Sequence, residues 1–444
     1  MKRAPLQIWL AVCLCACSLP AAALPFQLSG ATVGPDGKPA GWTTWSVRAE
    51  TAPRCFVDPL HFRSHPGSLA ISGASNLAEH GGWEHLERGI EAGKWYRFAA
   101  YYRAESVASE NWQIVARLDW RNAEGHRAGQ PDYAYHARRD GAWTRLSIDT
   151  QAPPDAVDVV LQLYLSNAPA GTVWWDDISL HPIPAPSPRI VRIASVNLKP
   201  HGARSSAENV QRFIDLIENS IHEKTDVILL PEGITVVGTG KTYADVAEPI
   251  PGPTTQRLGV LARERHTYIV AGIYEREGPA IYNTAVLIDR EGNLAGRYRK
   301  VYLPREEIEG GLTPGSGYPV FHTDFGTVGL MICYDSFFPD PARALTARGA
   351  EMILMPIWGG DETLAKARAI ENKVFLVTSG YDFPTSIIDP DGKILSTAQK
   401  NGTVAQASVD LSKRYVDSWL GEMHGRRMRE IRLDIPPVQP GFEN

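Results

Sequence analysis

The chain has 444 residues, a formal net charge of −5, and 43% hydrophobic against 21% charged residues. That length exceeds one ordinary domain and implies two or three, and the composition is that of folded domains with apolar cores rather than of a disordered chain. Mild acidity and the lack of any lysine- or arginine-rich run exclude a general nucleic-acid binder.

Residues 1–24 read as an export segment. Lys2 and Arg3 precede an apolar run from Leu6 to Leu19, and Ala21-Ala22-Ala23 offers small residues for cleavage. The run is short for a membrane span and Pro20 interrupts it, so a periplasmic or extracellular location is expected. Leu14-Cys15-Ala16-Cys17 is similar to a bacterial lipobox, which makes Cys17 a candidate lipid anchor. Three of the five cysteines lie in this segment. Of the two that remain, Cys333 is expected free and Cys55 is expected to pack in a core.

Residues 25–183 form the first expected domain. Nine of the 12 tryptophans fall here, and lysine is nearly absent. Strands are predicted at 68–72, 95–104, 112–120, 143–150, 157–165 and 172–180. Ile114, Ala116 and Leu118 alternate, as do Leu161, Leu163 and Leu165, so an antiparallel sandwich or jelly roll is expected. Glu91–Ala104 and Gly171–Leu180 resemble the carbohydrate-binding jelly-roll modules of secreted enzymes. That likeness implies a glycan partner, although Trp95, Trp112 and Trp143 serve equally as core residues. Asp176 and Asp177 are a candidate pair for a structural Ca²⁺, too few to make a site alone. The stretch His181–Pro188, with four prolines, reads as a linker centred on residues 184–188 that cannot join a ladder.

Residues 189–444 change to strand–helix alternation. Strands are expected at 190–198, 226–234, 268–274, 328–332, 352–356 and 374–379. Helices are expected at about 206–221, 255–266, 340–348 and 363–372, with hairpins at 282–297 and 386–397. Glu232 and Lys300 each stand at the end of an apolar strand, where a lone charge is costly. Cys333 follows a buried run and precedes a tight turn into a helix, the geometry of an exposed nucleophile. Read singly, each has a plainer explanation: a buried ion pair and a packed thiol.

Taken in order, LLPEG, YRKVYLP and GLMICYD resemble the nitrilase, or carbon–nitrogen hydrolase, superfamily over nearly all of residues 189–415. Tyr282-Asn283-Thr284-Ala285, Pro314-Gly315, Pro356-Ile357-Trp358 and Arg368–Asn372 add to the likeness. It implies an αββα sandwich that pairs with a second copy as a homodimer, with no cofactor and no metal. It also implies a Glu232–Lys300–Cys333 set that hydrolyses a small-molecule amide. Glu307 is the preferred second carboxylate, with Glu306 and Glu309 as rivals. Tyr334 is expected to lend a backbone N–H to the oxyanion, and Asp335 to orient the turn. Tyr282, Asn283 and Trp358 are candidate pocket residues. Tyr302 stands where many relatives carry histidine, and His322 and His424 are given no role. The expectation is an exported thiol amidase. The alternatives are a nitrilase or N-acyltransferase of the same superfamily, and a glycan-binding surface protein whose hydrolase domain is inactive.

Overall fold

The computed structural model describes residues 26–34, 38–382, 385–432 and 434–435, and contacts divide the chain into the units Met1–Pro184 and Ala185–Asn444. The export segment with Cys17 lies outside the described residues.

The first unit is two antiparallel sheets. One has the order Arg54–Asp58, Ser68–Ser72, Thr172–Ile183, Trp95–Glu105, Trp143–Gln151, His136–Asp140, with Phe26–Leu28 also paired to Thr172–Ile183. The other has the order Trp42–Ser46, His80–Arg88, Asp158–Ser166, Ile114–Arg121, Asp132–Tyr133. Period-two alternation turns Ile114, Ala116, Leu118, Leu161, Leu163 and Leu165 of one sheet toward Phe98, Ala100, Tyr102 and Trp175 of the other, in one continuous core. Each leucine, isoleucine or phenylalanine among them contributes about 1.5–3 kcal/mol by leaving water.

Three expectations need correction. Trp112 belongs to a short helix, Glu110–Gln113, and not to the following strand. Asp176 and Asp177 hold a loop. Asp176 accepts the backbone N–H groups of Gly30, Arg63 and Ser64 at 2.9, 2.8 and 2.7 Å, and Asp177 pairs with the Arg63 side chain at 2.8 Å. The proline-rich stretch joins a ladder at its start: His181, Pro182 and Ile183 pair with Arg97, Tyr96 and Trp95. There the strand has one neighbour, and an edge tolerates a residue without an N–H. Cys55 is half-buried against the core, and neither Cys55 nor Cys333 is in a disulfide.

The second unit stacks two six-stranded mixed sheets between helices. The first sheet runs Leu294–Arg299, Ala280–Ile288, Tyr268–Glu277, Val227–Leu229, Ile190–Asn197, Thr403–Asp410. The second runs Val320–His322, Thr327–Leu330, Met352–Pro356, Phe375–Ser379, Thr385–Ile388, Ile394–Ala398. Each has three adjacent parallel strands flanked by antiparallel ones. Val191, Ile193, Val270 and Leu287 meet Val328, Leu330, Leu354 and Val377 between the sheets. Ser206–Ser220 and Pro253–Arg265 cover one outer face through Phe213, Ile217 and Leu258. Asp340–Ala347 and Glu362–Asn372 cover the other through Leu345, Ala365 and Ala369. Strands buried on both faces explain the near-continuous apolar runs. The strand expected at 226–234 stops at Leu229, because Pro231 ends the ladder and the chain turns there.

Candidate active site

Three segments leave the carboxyl ends of parallel strands at one rim. Glu232 follows Val227–Leu229, Cys333 follows Thr327–Leu330, and Trp358 follows Met352–Pro356. Open sheets place ligands at such ends. The Glu232 turn is pinned at Gly272, where a Cβ would stand 2.6 Å from the Glu232 Cα. Tyr381 donates its hydroxyl to the Glu232 carbonyl at 2.8 Å.

Lys300 is the first residue past Leu294–Arg299. Its N–H donates to the Asn283 carbonyl at 2.9 Å, and its own carbonyl accepts from Gly315 at 2.8 Å. No side chain fits at Gly315, because a Cβ would lie 2.1 Å from the Arg299 carbonyl oxygen. The Lys300 side chain is 1% exposed and lies between two carboxylates. Its Nζ is 3.0 Å from Glu232 Oε1 and 2.9 Å from Glu307 Oε2. Asn283 completes a ring, donating through Nδ2 to Glu232 Oε1 at 2.6 Å and Glu307 Oε1 at 2.7 Å. Glu232 Oε2 meets no hydrogen-bond donor among the described residues.

One helical turn, Arg305–Glu309, sorts the three neighbouring glutamates. Glu307 points into the protein and is 5% exposed, while Glu306 and Glu309 lie outside beside Arg305.

Cys333 opens the short helix Cys333–Phe337 with φ of +43°. A non-glycine residue in this region costs roughly 1–3 kcal/mol and persists only where its surroundings hold it. Asp335 does much of the holding. Fully buried, it accepts from the Tyr298 hydroxyl at 2.7 Å, the Ile332 N–H at 2.9 Å and the Tyr302 N–H at 3.0 Å. Tyr298 and Tyr302 flank Lys300 and Ile332 precedes Cys333, so one carboxyl ties the two segments together. Arg368 supports the turn from the Glu362–Asn372 helix, donating to the Ser336 carbonyl at 3.0 Å. The Cys333 thiol donates to the Gly359 carbonyl at 3.2 Å.

Electrostatics couple these groups. Burial first, then the charge of Glu232, pushes the Cys333 thiol up to about 12. Lys300 and the backbone N–H groups of Trp358 and Gly359 oppose the rise. Burial alone would lower Lys300, but Glu232, Cys333 and Glu307 outweigh it and hold the ammonium above its ordinary range. Burial raises Glu307 to about 7 against the pull of Lys300. Burial likewise raises Asp335 to about 6.

Not every candidate faces this cluster. Tyr282 alternates with Asn283 along its strand, and its ring lies under the Arg299 guanidinium at 3.8 Å. Trp358 packs edge-on against Tyr381, with ring centroids 5.0 Å apart, and brings its backbone to the thiol. The ring of Tyr334 belongs to an aromatic group with Phe337 and Phe338, and Tyr302 stacks on Phe338 at 3.8 Å. His322 lies on a surface hairpin and His424 in the helix Met423–Glu430. Tyr243, Tyr274 and Tyr381 were missed. Tyr274 pairs with Asn283 across the ladder and stacks on Tyr243 at 4.6 Å. The acidic groups act on all three: burial and then the carboxylates hold their hydroxyls protonated. Strand pairing alone would have located Tyr274. Among the described residues, no group of three or more His, Cys, Asp or Glu is arranged to hold a metal ion.

The Carbon-nitrogen hydrolase family matches residues 192–416 of the chain. An omega-amidase of Bos taurus is 29% identical over 271 residues, 55% of this chain and 92% of the relative. A nitrilase of Pyrococcus abyssi is 33% identical over 244 residues, 50% of this chain and 90% of the relative. A solved amidase from Nesterenkonia sp. aligns with 25% identity and a TM-score of 0.44, over 52% of this chain and 95% of that one.

Proposed function

The chain belongs to the carbon–nitrogen hydrolase family, and on that premise we propose an exported thiol amidase that cleaves a non-peptide amide through a Cys333 acyl-enzyme. The observation that carries this reading is the buried cluster of Glu232, Lys300 and Glu307, in which the charges of Glu232 and Lys300 bear on a thiol held on left-handed backbone.

Burial and the charge of Glu232 hold the thiol protonated at neutral pH, so it needs a base to become a nucleophile. Glu232 has a free buried oxygen for that proton. As the proton passes to Glu232, the sulfur bonds to the amide carbon and the carbonyl electrons move to oxygen. Lys300 and the Tyr334 N–H stabilise that oxyanion. Collapse breaks the C–N bond, Glu232 returns the proton to the leaving nitrogen, and ammonia or a small amine departs. Water then gives a proton to Glu232 and its oxygen attacks the thioester. The C–S bond breaks, the acid leaves, and the sulfur regains its proton. Glu307, drawn toward its protonated form, shares Lys300 without cancelling its charge.

Export rests on the composition of residues 1–24. For the first unit the reading is a glycan-binding jelly roll. Its support is Trp45, 37% exposed and stacked on Tyr164 with centroids 5.3 Å apart, whereas Trp42, Trp83, Trp120 and Trp175 are buried in the core. The test of the amidase is ammonia or amine release from a panel of small amides by wild type and Cys333→Ala. Turnover by wild type alone supports the reading. Equal turnover by both, or none by either, overturns it.

A further inference from the structure

We propose that Asn283 is a positioning residue: its single amide nitrogen holds Glu232 and Glu307 by one oxygen each, and so leaves the second Glu232 oxygen fixed and open to take the Cys333 proton. This rests on the reading of Glu232 as the base. The geometry is specific. Nδ2 lies 2.6 Å from Glu232 Oε1 and 2.7 Å from Glu307 Oε1, while Lys300 spans the same two carboxylates from the other side at 3.0 and 2.9 Å. Asn283 is 1% exposed, so solvent offers the carboxylates no substitute donor.

The amide can sit only one way round. Turned over, Oδ1 would oppose two carboxylate oxygens. As placed, Oδ1 is buried without a donor among the described residues, a cost accepted to supply both carboxylates. A charged donor at this corner would compete with Lys300 for the carboxylates, and a hydroxyl has one proton for two acceptors. A neutral –NH₂ satisfies both and leaves the local charge alone. The backbone is equally committed, because the Asn283 carbonyl accepts from the Lys300 N–H at 2.9 Å. Base, cation and clamp therefore move as one body. The titratable groups that face Asn283 or the carboxylates it holds are Glu232, Glu307, Lys300, Cys333, Tyr243, Tyr274 and Tyr381. The three tyrosines stay neutral over the working range, which leaves the carboxylates to respond to a change at Asn283.

The test is the pH profile of Cys333 alkylation by iodoacetamide, read beside amide turnover, in wild type, Asn283→Leu and Asn283→Asp. Leucine keeps the volume and removes the donor. Turnover in Asn283→Leu is expected to fall about 10- to 150-fold, the loss of a hydrogen bond to a charged group. The acid limb of both profiles is expected to move up by about one pH unit, since a carboxylate without its donor binds a proton more tightly. In Asn283→Asp the new acid donates only when protonated, so alkylation is expected to recover as pH falls, opposite to wild type. If both variants fold and alkylate on the wild-type profile, Asn283 positions nothing and the inference fails alone. If Asn283→Leu does not fold, Asn283→Asp decides by the direction of its pH dependence. If wild type turns over no amide and its alkylation profile matches that of Glu232→Gln, the reading of Glu232 as base fails and takes this inference with it.

Discussion

Replacing Asp335 tests whether one carboxyl ties the lysine segment to the nucleophile turn. In Asp335→Ala three donors lose their acceptor: the Ile332 N–H, the Tyr302 N–H and the Tyr298 hydroxyl. The hydroxyl can rotate, but the two amides cannot, and each buried unpaired amide costs about 1–3 kcal/mol. Part of that is offset because burial already disfavours the carboxylate, which is raised to about 6. A net loss of roughly 2–4 kcal/mol corresponds to a fall of roughly 5–15 °C in the melting temperature of a unit this size. In Asp335→Asn only one –NH₂ opposes a donor, so the fall should be about half as large. The assay is thermal unfolding of the full chain by circular dichroism, with the rate of Cys333 alkylation measured on the same samples. Both variants should melt lower, and both should alkylate more slowly at a temperature where they are folded, because the turn no longer fixes the thiol within the field of Lys300 and Glu232. Melting within about 1 °C of wild type, with unchanged alkylation, would refute the reasoning.

Three further outcomes are expected. Gly272→Ala drives a methyl group against the Glu232 Cα, 2.6 Å away; a shift of about 1 Å in the base should cost about 100-fold in kcat with a small change in KM, read from amide kinetics. Glu307 is raised to about 7 from 4.5, so between those values the folded chain holds a proton that the unfolded chain has released; its contribution to stability grows as pH falls through that window and is lost as pH rises to 7. Urea melts of wild type and Glu307→Gln at pH 5 and pH 8 should therefore show the wild-type advantage at the lower pH only. Trp45→Ala should abolish retention of the full chain on immobilised glycans while leaving amide turnover unchanged, and retention equal to wild type would remove Trp45 from any sugar site.

Much of the candidate site can be read from the chain because burial makes charge conspicuous. Glu232 and Cys333 each end an apolar run, and an exposed surface would give no such contrast; Lys300 follows a strand with two arginines, and only the family resemblance singles it out. Glu307 was preferred to its rivals Glu306 and Glu309 from the resemblance, and a single helical turn, visible only in three dimensions, faces it inward and the other two outward. One step along a strand reverses the face, so Asn283 reaches the carboxylates while Tyr282 stacks on Arg299. The tyrosines around the site belong to three separated segments, and only strand register and packing bring them together. In the first unit Asp176 and Asp177 look like ligands because they are adjacent. Asp176 instead accepts from the backbone of a distant loop and Asp177 from that loop's side chains, which no local pattern announces.

The central claim is that Cys333 carries the acyl group and Glu232 takes its proton. Intact-mass spectrometry of the full chain, quenched during turnover of a slow amide, measures this directly. The account predicts an adduct equal to the acyl fragment on wild type, located at Cys333, with none on Cys333→Ala and none on Glu232→Gln over the same interval. Amide turnover that survives Cys333→Ala, or an adduct that forms as fast in Glu232→Gln as in wild type, would contradict it.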